Sequence, residues 1–299
     1  MECQPAGTNT PRRPVDWPKI ELYDFEDESR PTNSLRVERI MSLSFSDDGP
    51  GHVVVLLHGF PLDRTMWSGQ IGEIGESYRL ITPDLRGYGR SVGPPERIYT
   101  MDAMADDVIE TLDALGIKER VVLGGLSMGG YVALSAARRY PERFRALMLF
   151  DTKAVGDSAD AARGRETTAD QIEATGLTDG LITAMIPKLF SSLTRELRPE
   201  RVEPVLNVMR ATSPRTIAAS LRGMAARPDR SRDLLYITIP TLVVVGGEDV
   251  ITPVSDARAM VEELRNATLA IIPDAGHMAP LENPTATNLA ILSFLNRLG

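Results

Sequence analysis

Ser127, His277 and Asp249 are the residues of this 299-residue chain whose types and settings suit nucleophilic acyl chemistry. Ser127 lies in Gly125-Leu126-Ser127-Met128-Gly129, directly after the apolar run Val121-Val122-Leu123-Gly124. An apolar strand, then Gly-x-Ser-x-Gly, then a helical pattern is the setting of a nucleophile elbow. There the serine occupies a sharp, strained turn and its hydroxyl projects from the top of a sheet. The flanking glycines fit a turn that brings backbone against backbone, where a Cβ would clash. The helical pattern follows at once in Tyr131-Val132-Ala133-Leu134-Ser135-Ala136-Ala137.

A nucleophilic serine needs a base, and the chain has three histidines. His52 and His58 precede Ser127, while His277 follows it in Pro273-Asp274-Ala275-Gly276-His277, after the apolar run Leu269–Ile272. The base needs a carboxylate that fixes its tautomer and stabilises the imidazolium. Asp249 ends Leu242-Val243-Val244-Val245-Gly246-Gly247-Glu248-Asp249 and is the expected acid. Asp151, at the end of another predicted strand, is the alternative, and Glu248 and Asp274 are neighbouring carboxyls.

Acyl transfer also needs donors for the oxyanion that develops on the carbonyl. One is the backbone N–H of the residue after the nucleophile, here Met128. The other is assigned to the Phe60 N–H, in His58-Gly59-Phe60-Pro61 after Val53–Leu57. His58 directly precedes this turn and is expected to hold the loop rather than act as base. Asp84, Arg86 and Gly87 are expected to form a structural loop network.

The elements that must position these groups are legible as alternating runs. One or two early strands are predicted within 35–46, then strands at 53–57, 79–82, 120–124 and 145–150. Helical spacing covers 101–115, with Gly116 as its stop, and 128–139. Residues 240–246, 253–264, 267–272 and 284–297 read strand, helix, strand, helix. Such alternation implies a mostly parallel, doubly wound α/β sheet with both faces covered. Between Asp151 and Ile239 the strand signal gives way to helical patterns, among them 181–189, 202–209 and a helix opened by Ser213-Pro214.

The chain resembles the serine-hydrolase branch of the α/β-hydrolase superfamily. The resemblance rests on His-Gly-Phe-Pro (58–61), Asp-Leu-Arg-Gly-Tyr-Gly-Arg-Ser (84–91), Gly-Leu-Ser-Met-Gly-Gly (125–130), Gly-Glu-Asp (247–249) and Gly-His (276–277), and it spans 34–299. The order Ser127, Asp249, His277 is that superfamily's order. Within the branch the chain is similar to carboxylesterases, 3-oxoadipate enol-lactonase-like proteins and cofactor-free perhydrolases. Relatives with aspartate at the elbow are dehalogenases and epoxide hydrolases, and Ser127 argues against both activities. The resemblance implies a helical cap after strand six, over 152–236, between core segments 34–151 and 237–299. It implies a small-molecule ester or lactone as substrate and no metal or organic cofactor. Trp67, Met185, Ile186, Phe190 and Met209 are the candidates for substrate contact.

Composition sets outer bounds. Thirty-three basic and 41 acidic residues give a net charge of -8, with no basic tract, which disfavours a nucleic-acid partner. The single cysteine, Cys3, excludes an intrachain disulfide. No run of eighteen apolar residues predicts a membrane span. Residues 1–33 hold five prolines and many charges and read as a partly extended arm without a signal-peptide core. A cytoplasmic location is therefore expected. The sequence leaves the oligomeric state open.

Overall fold

The computed structural model describes residues 43–299. The expected arm at 1–33, and any strand before residue 43, lie outside the described residues. Seven strands form one sheet: β1 (Phe45–Asp48), β2 (Val53–Leu57), β3 (Arg79–Pro83), β4 (Val121–Leu126), β5 (Phe144–Phe150), β6 (Thr241–Gly246) and β7 (Ala267–Ile272). Their spatial order is β1-β3-β2-β4-β5-β6-β7. β1 is antiparallel to β3, and every other neighbouring pair is parallel.

The α-helices are α1 (Ser68–Ile74), α2 (Met101–Ala114), α3 (Met128–Arg139), α4 (Ala159–Thr175), α5 (Asp179–Leu189), α6 (Ser192–Leu197), α7 (Pro199–Ala211), α8 (Pro214–Ala225), α9 (Val254–Glu263), α10 (Ala279–Glu282) and α11 (Pro284–Asn296). Successive side chains of a strand point to opposite faces. In β2, Val53, Val55 and Leu57 enter one apolar cluster while Val54 and Leu56 enter a second. A strand apolar on both faces needs helices on both, and parallel connections supply them. Met104 and Val108 of α2, Val132 of α3 and Met260 of α9 fill the first cluster. Ile74 of α1 and Ile291, Phe294 and Leu295 of α11 fill the second.

Between β5 and β6 the chain makes five helices, α4 to α8, over 159–225. The sequence places this insertion after a sixth strand. Among the described residues the preceding strand is the fifth, because β1 is the one strand described where one or two were expected over 35–46. Among the described residues no helix is long and apolar enough to cross a membrane.

Candidate active site

Three loops that leave the C-terminal ends of β4, β6 and β7 carry Ser127, Asp249 and His277. This is the edge at which open α/β sheets bind ligands. Ser127 bridges β4 and α3 at φ 52 and ψ -111, a left-handed conformation that costs a non-glycine residue on the order of 1–3 kcal/mol. The surroundings enforce it. The Ser127 N–H donates to the Phe150 carbonyl at 3.0 Å, and its carbonyl accepts from Thr152 Oγ1 at 2.9 Å. A Cβ on Gly125 would lie 2.2 Å from the Gly129 carbonyl oxygen, and one on Gly129 would lie 2.4 Å from that of Leu57. Both positions therefore require glycine if the elbow is to close.

Asp249 and His277 are both buried and meet at 2.8 Å, Asp249 Oδ2 to His277 Nδ1. The same oxygen accepts from Thr252 Oγ1 at 2.6 Å, and Oδ1 accepts from the backbone N–H groups of Ile251 and Thr252 at 2.8 and 3.1 Å. Burial opposes the charge on Asp249, but the attraction of His277 and these bonds outweigh it and hold the carboxyl below its ordinary value. A proton on Nδ1 facing Asp249 leaves the Nε2 lone pair of a neutral imidazole free to accept. No hydrogen bond joins Ser127 Oγ to His277 among the described residues. Bonds of this kind are often long until substrate is seated.

The alternative acid, Asp151, makes no bond to His277 among the described residues. Asp151, at φ 42, is fully buried, and its Oδ1 accepts from the Gly246 N–H at 2.7 Å. Its Oδ2 has no hydrogen-bond partner among the described residues. Burial first, then repulsion from Asp249, pushes this carboxyl well above its ordinary value. Glu248 and Asp274 are exposed.

Met128 opens α3, so its N–H is one of the four that a helix leaves without an intrahelical acceptor. The Phe60 N–H, just past β2, has no hydrogen-bond partner among the described residues. His58 is buried against Tyr88, with ring centroids 5.0 Å apart. Its Nδ1–H donates to the Gly59 carbonyl and its Nε2 accepts from the Leu85 N–H, both at 2.9 Å. Burial lowers its pKa, so both nitrogens are spent on holding the loop in the neutral form. Asp84 accepts from the N–H groups of Arg64 and Arg90 and pairs with Arg64, whereas Arg86 pairs with Asp107 of α2 at 2.6 Å and the Gly87 carbonyl accepts from Thr216 of α8.

Trp67, Phe190 and Met209 are buried in one apolar cluster, with the Trp67 ring edge-on to Phe150 at 5.3 Å. Met185 and Ile186 are half-buried at its margin. Sequence reasoning missed Thr252, whose hydroxyl and N–H fix Asp249. Its signal was an aspartate followed three residues later by threonine at a turn, a pattern that makes local side-chain-to-backbone bonds. It also missed Glu282, a buried carboxyl within a short apolar stretch that no periodicity singles out.

A family model described as alpha/beta hydrolase fold matches residues 52–284. The chain belongs to this family. It is a hydrolase by fold and by its relatives. It is 32% identical over 236 residues to 3-oxoadipate enol-lactonase 2 of Acinetobacter baylyi, covering 78% of this chain and 84% of that one. A thermophilic esterase from Thermogutta terrifontis superposes with a TM-score of 0.83 at 41% identity, over 86% of this chain and 93% of that one. An enol-lactonase from Burkholderia xenovorans superposes at 0.78 with 26% identity, over 85% and 96%.

Proposed function

We propose that this hydrolase cleaves carboxylic esters of small or medium acyl chain through an acyl-enzyme on Ser127. The observation that carries the reading is the buried Asp249–His277 bond of 2.8 Å, at the same sheet edge as the strained Ser127 elbow. His277 Nε2 takes the Ser127 proton as Oγ attacks the ester carbonyl. The N–H groups of Phe60 and Met128 hold the oxyanion. His277 then protonates the leaving alcohol, and water activated by the same nitrogen clears the acyl group. Asp249 stays ionised and fixes the Nδ1–H tautomer throughout. The helices over 159–225 act as a cap within 152–236 that bounds the acyl pocket, with Trp67, Met185, Ile186, Phe190 and Met209 on its apolar side.

A second reading, an enol-lactonase using the same groups, is favoured by the two enol-lactonase relatives. A lactone with a free carboxylate would need a cation, and the candidates are Lys153, Arg163, Arg165 and Arg210. Arg165 is committed to Asp157 at 2.7 Å and Arg163 to Asp160, which leaves Lys153, and Arg210 at 3.9 Å from Asp179, as the freer pair. The deciding experiment is turnover of a nitrophenyl ester series from acetate to palmitate beside enol-lactones, with Ser127→Ala in parallel. Serine-dependent ester turnover that exceeds lactone turnover supports the first reading, and the reverse ranking the second. Turnover that survives Ser127→Ala removes both.

A further inference from the structure

We infer that Glu282 is a positioning residue that ties the His277 loop to the proposed cap, so that the placement of the base depends on where the cap sits. Glu282 is fully buried at the end of α10. Its Oε1 accepts from the Gly276 N–H at 2.7 Å, one residue before His277. Its Oε2 accepts from the Ser191 N–H at 2.8 Å, between α5 and α6. On the other side of the histidine, the Met278 N–H donates to the Leu189 carbonyl at 3.2 Å. The backbone on both sides of His277 is thus tied, once directly and once through Glu282, to residues 189–191.

The fit is close. A Cβ on Gly276 would lie 2.8 Å from the Ser191 nitrogen and 3.2 Å from Glu282 Oε1, so no larger residue enters the junction without moving it. Two N–H donors aim at two oxygens of one side chain. A carboxylate accepts both, whereas an amide offers one acceptor and turns its own donors toward the second N–H. Asp249 fixes the ring of His277 at Nδ1, but nothing in that bond fixes the backbone that carries the ring. Misplacing a reacting group by about 1 Å can cost on the order of 100-fold in rate.

The inference rests on His277 acting as the base for Ser127, and the test separates the two. Active sites are titrated with a fluorophosphonate, and its rate of reaction with Ser127 is measured alongside kcat and KM for nitrophenyl acetate, per titrated site. Glu282→Gln is expected to lower both the phosphonylation rate and kcat about 10-fold or more, with KM within about twofold. Glu282→Asp is expected to fall between, since it keeps the carboxylate and loses reach.

The cap side of the link is cut by Ser191→Pro. Ser191 at φ -56 and Phe190 at ψ 142 already suit a proline, which removes the N–H and the hydroxyl and sets its ring Cδ where the N–H faced Glu282 Oε2. Ser191→Ala loses the hydroxyl alone and is the reference. Ser191→Pro is expected to be several-fold slower than Ser191→Ala, and the Glu282→Gln/Ser191→Pro double variant no slower than Glu282→Gln, because both break one connection. A merely structural glutamate would lower the melting temperature and leave the per-site rates unchanged. Per-site rates within twofold of reference in both Glu282→Gln and Ser191→Pro overturn the inference alone. If Glu282→Gln does not fold, the Ser191 pair decides. Turnover or labelling that persists in Ser127→Ala overturns the functional reading, and this inference with it.

Discussion

Two buried aspartates close to one another at the sheet edge are pushed in opposite electrostatic directions, a contrast that supports proposing Asp249 as the acid. Asp249 is ionised by its bonds to His277 and Thr252, while Asp151 is driven toward its neutral form by burial and by Asp249 itself. Asp249→Asn keeps the shape but presents the wrong partner to Nδ1–H, and kcat is expected to fall by about 10³–10⁴-fold, the scale of losing the correct histidine tautomer. Asp151→Asn removes a carboxyl that burial and Asp249 push toward its neutral form and that makes no bond to His277, and kcat is expected to stay within about tenfold of the parent. Steady-state kinetics on one nitrophenyl ester ranks the two, and the reverse ranking would move the acid to Asp151. The raised carboxyl has a second consequence. Above the ordinary carboxylate range the unfolded chain releases the Asp151 proton and the folded chain retains it, so stability from this group falls as pH rises through that window. Relative to Asp151→Asn, the wild type is expected to lose up to about 1.4 kcal/mol per pH unit above about pH 4, until the folded carboxyl itself titrates. Paired thermal melts between pH 4 and 8 measure it, and parallel curves would contradict a raised carboxyl. At this scale the sequence exposed Ser127, His277 and Asp249 because each follows an apolar strand. Thr252 and Glu282 stayed hidden, because their partners are backbone N–H groups and a side chain that only the fold brings near.

Elements with a periodic apolar face were legible, and those held by polar contacts were not. β2 and α3, whose apolar runs are buried, fall on their predicted residues, as does the edge strand β7, of which only Ile272 is buried. α4 went unread for a physical reason. Of its 17 residues only Ala169 and Ile172 are buried, so it shows no apolar stripe. Its anchor is one residue of α8: the buried guanidinium of Arg222 meets Asp170 at 2.6 Å and Glu173 at 2.7 Å, with Glu166 at 3.6 Å. These three acids lie on one face of α4 at spacings of four and three. Without Arg222 they repel one another, and what remains is the exposed Arg97 at 3.2 Å from Asp170 and 3.0 Å from Glu173, and the Arg165–Asp157 pair at 2.7 Å. The cost of Arg222→Met should lie between the about 1 kcal/mol of an exposed pair and the about 3–5 kcal/mol of breaking a fully buried one, because the acids are half-exposed. Hydrogen exchange is expected to quicken across 159–175 in this variant while β4 and α3 keep their protection. Unchanged exchange in α4 would mean that Ala169, Ile172 and the Arg97 and Arg165 ion pairs suffice to hold it.

At the scale of the whole molecule, the insertion and the sheet share one apolar core. The cluster that contains Val54, Leu56 and Phe150 of the sheet also contains Leu189 of α5, Phe190, and Val205 and Met209 of α7. Trp67 stands between them with no exposed surface. Such packing resists opening, since displaced core side chains lose their transfer and contact energy together. With the acyl pocket proposed along this tightly packed seam, the ester series is expected to peak between acetate and butyrate and to fall at least tenfold by octanoate. Phe190→Ala should shift the optimum to longer chains, because it opens the seam where α5 ends. It should also cost about 3–5 kcal/mol of stability, the range for truncating a buried phenylalanine. A variant that loses that stability yet keeps the acetate-to-butyrate optimum would place the acyl pocket away from Phe190. A wild type that prefers octanoate or longer would mean that the seam between α5, α7 and the sheet opens during turnover.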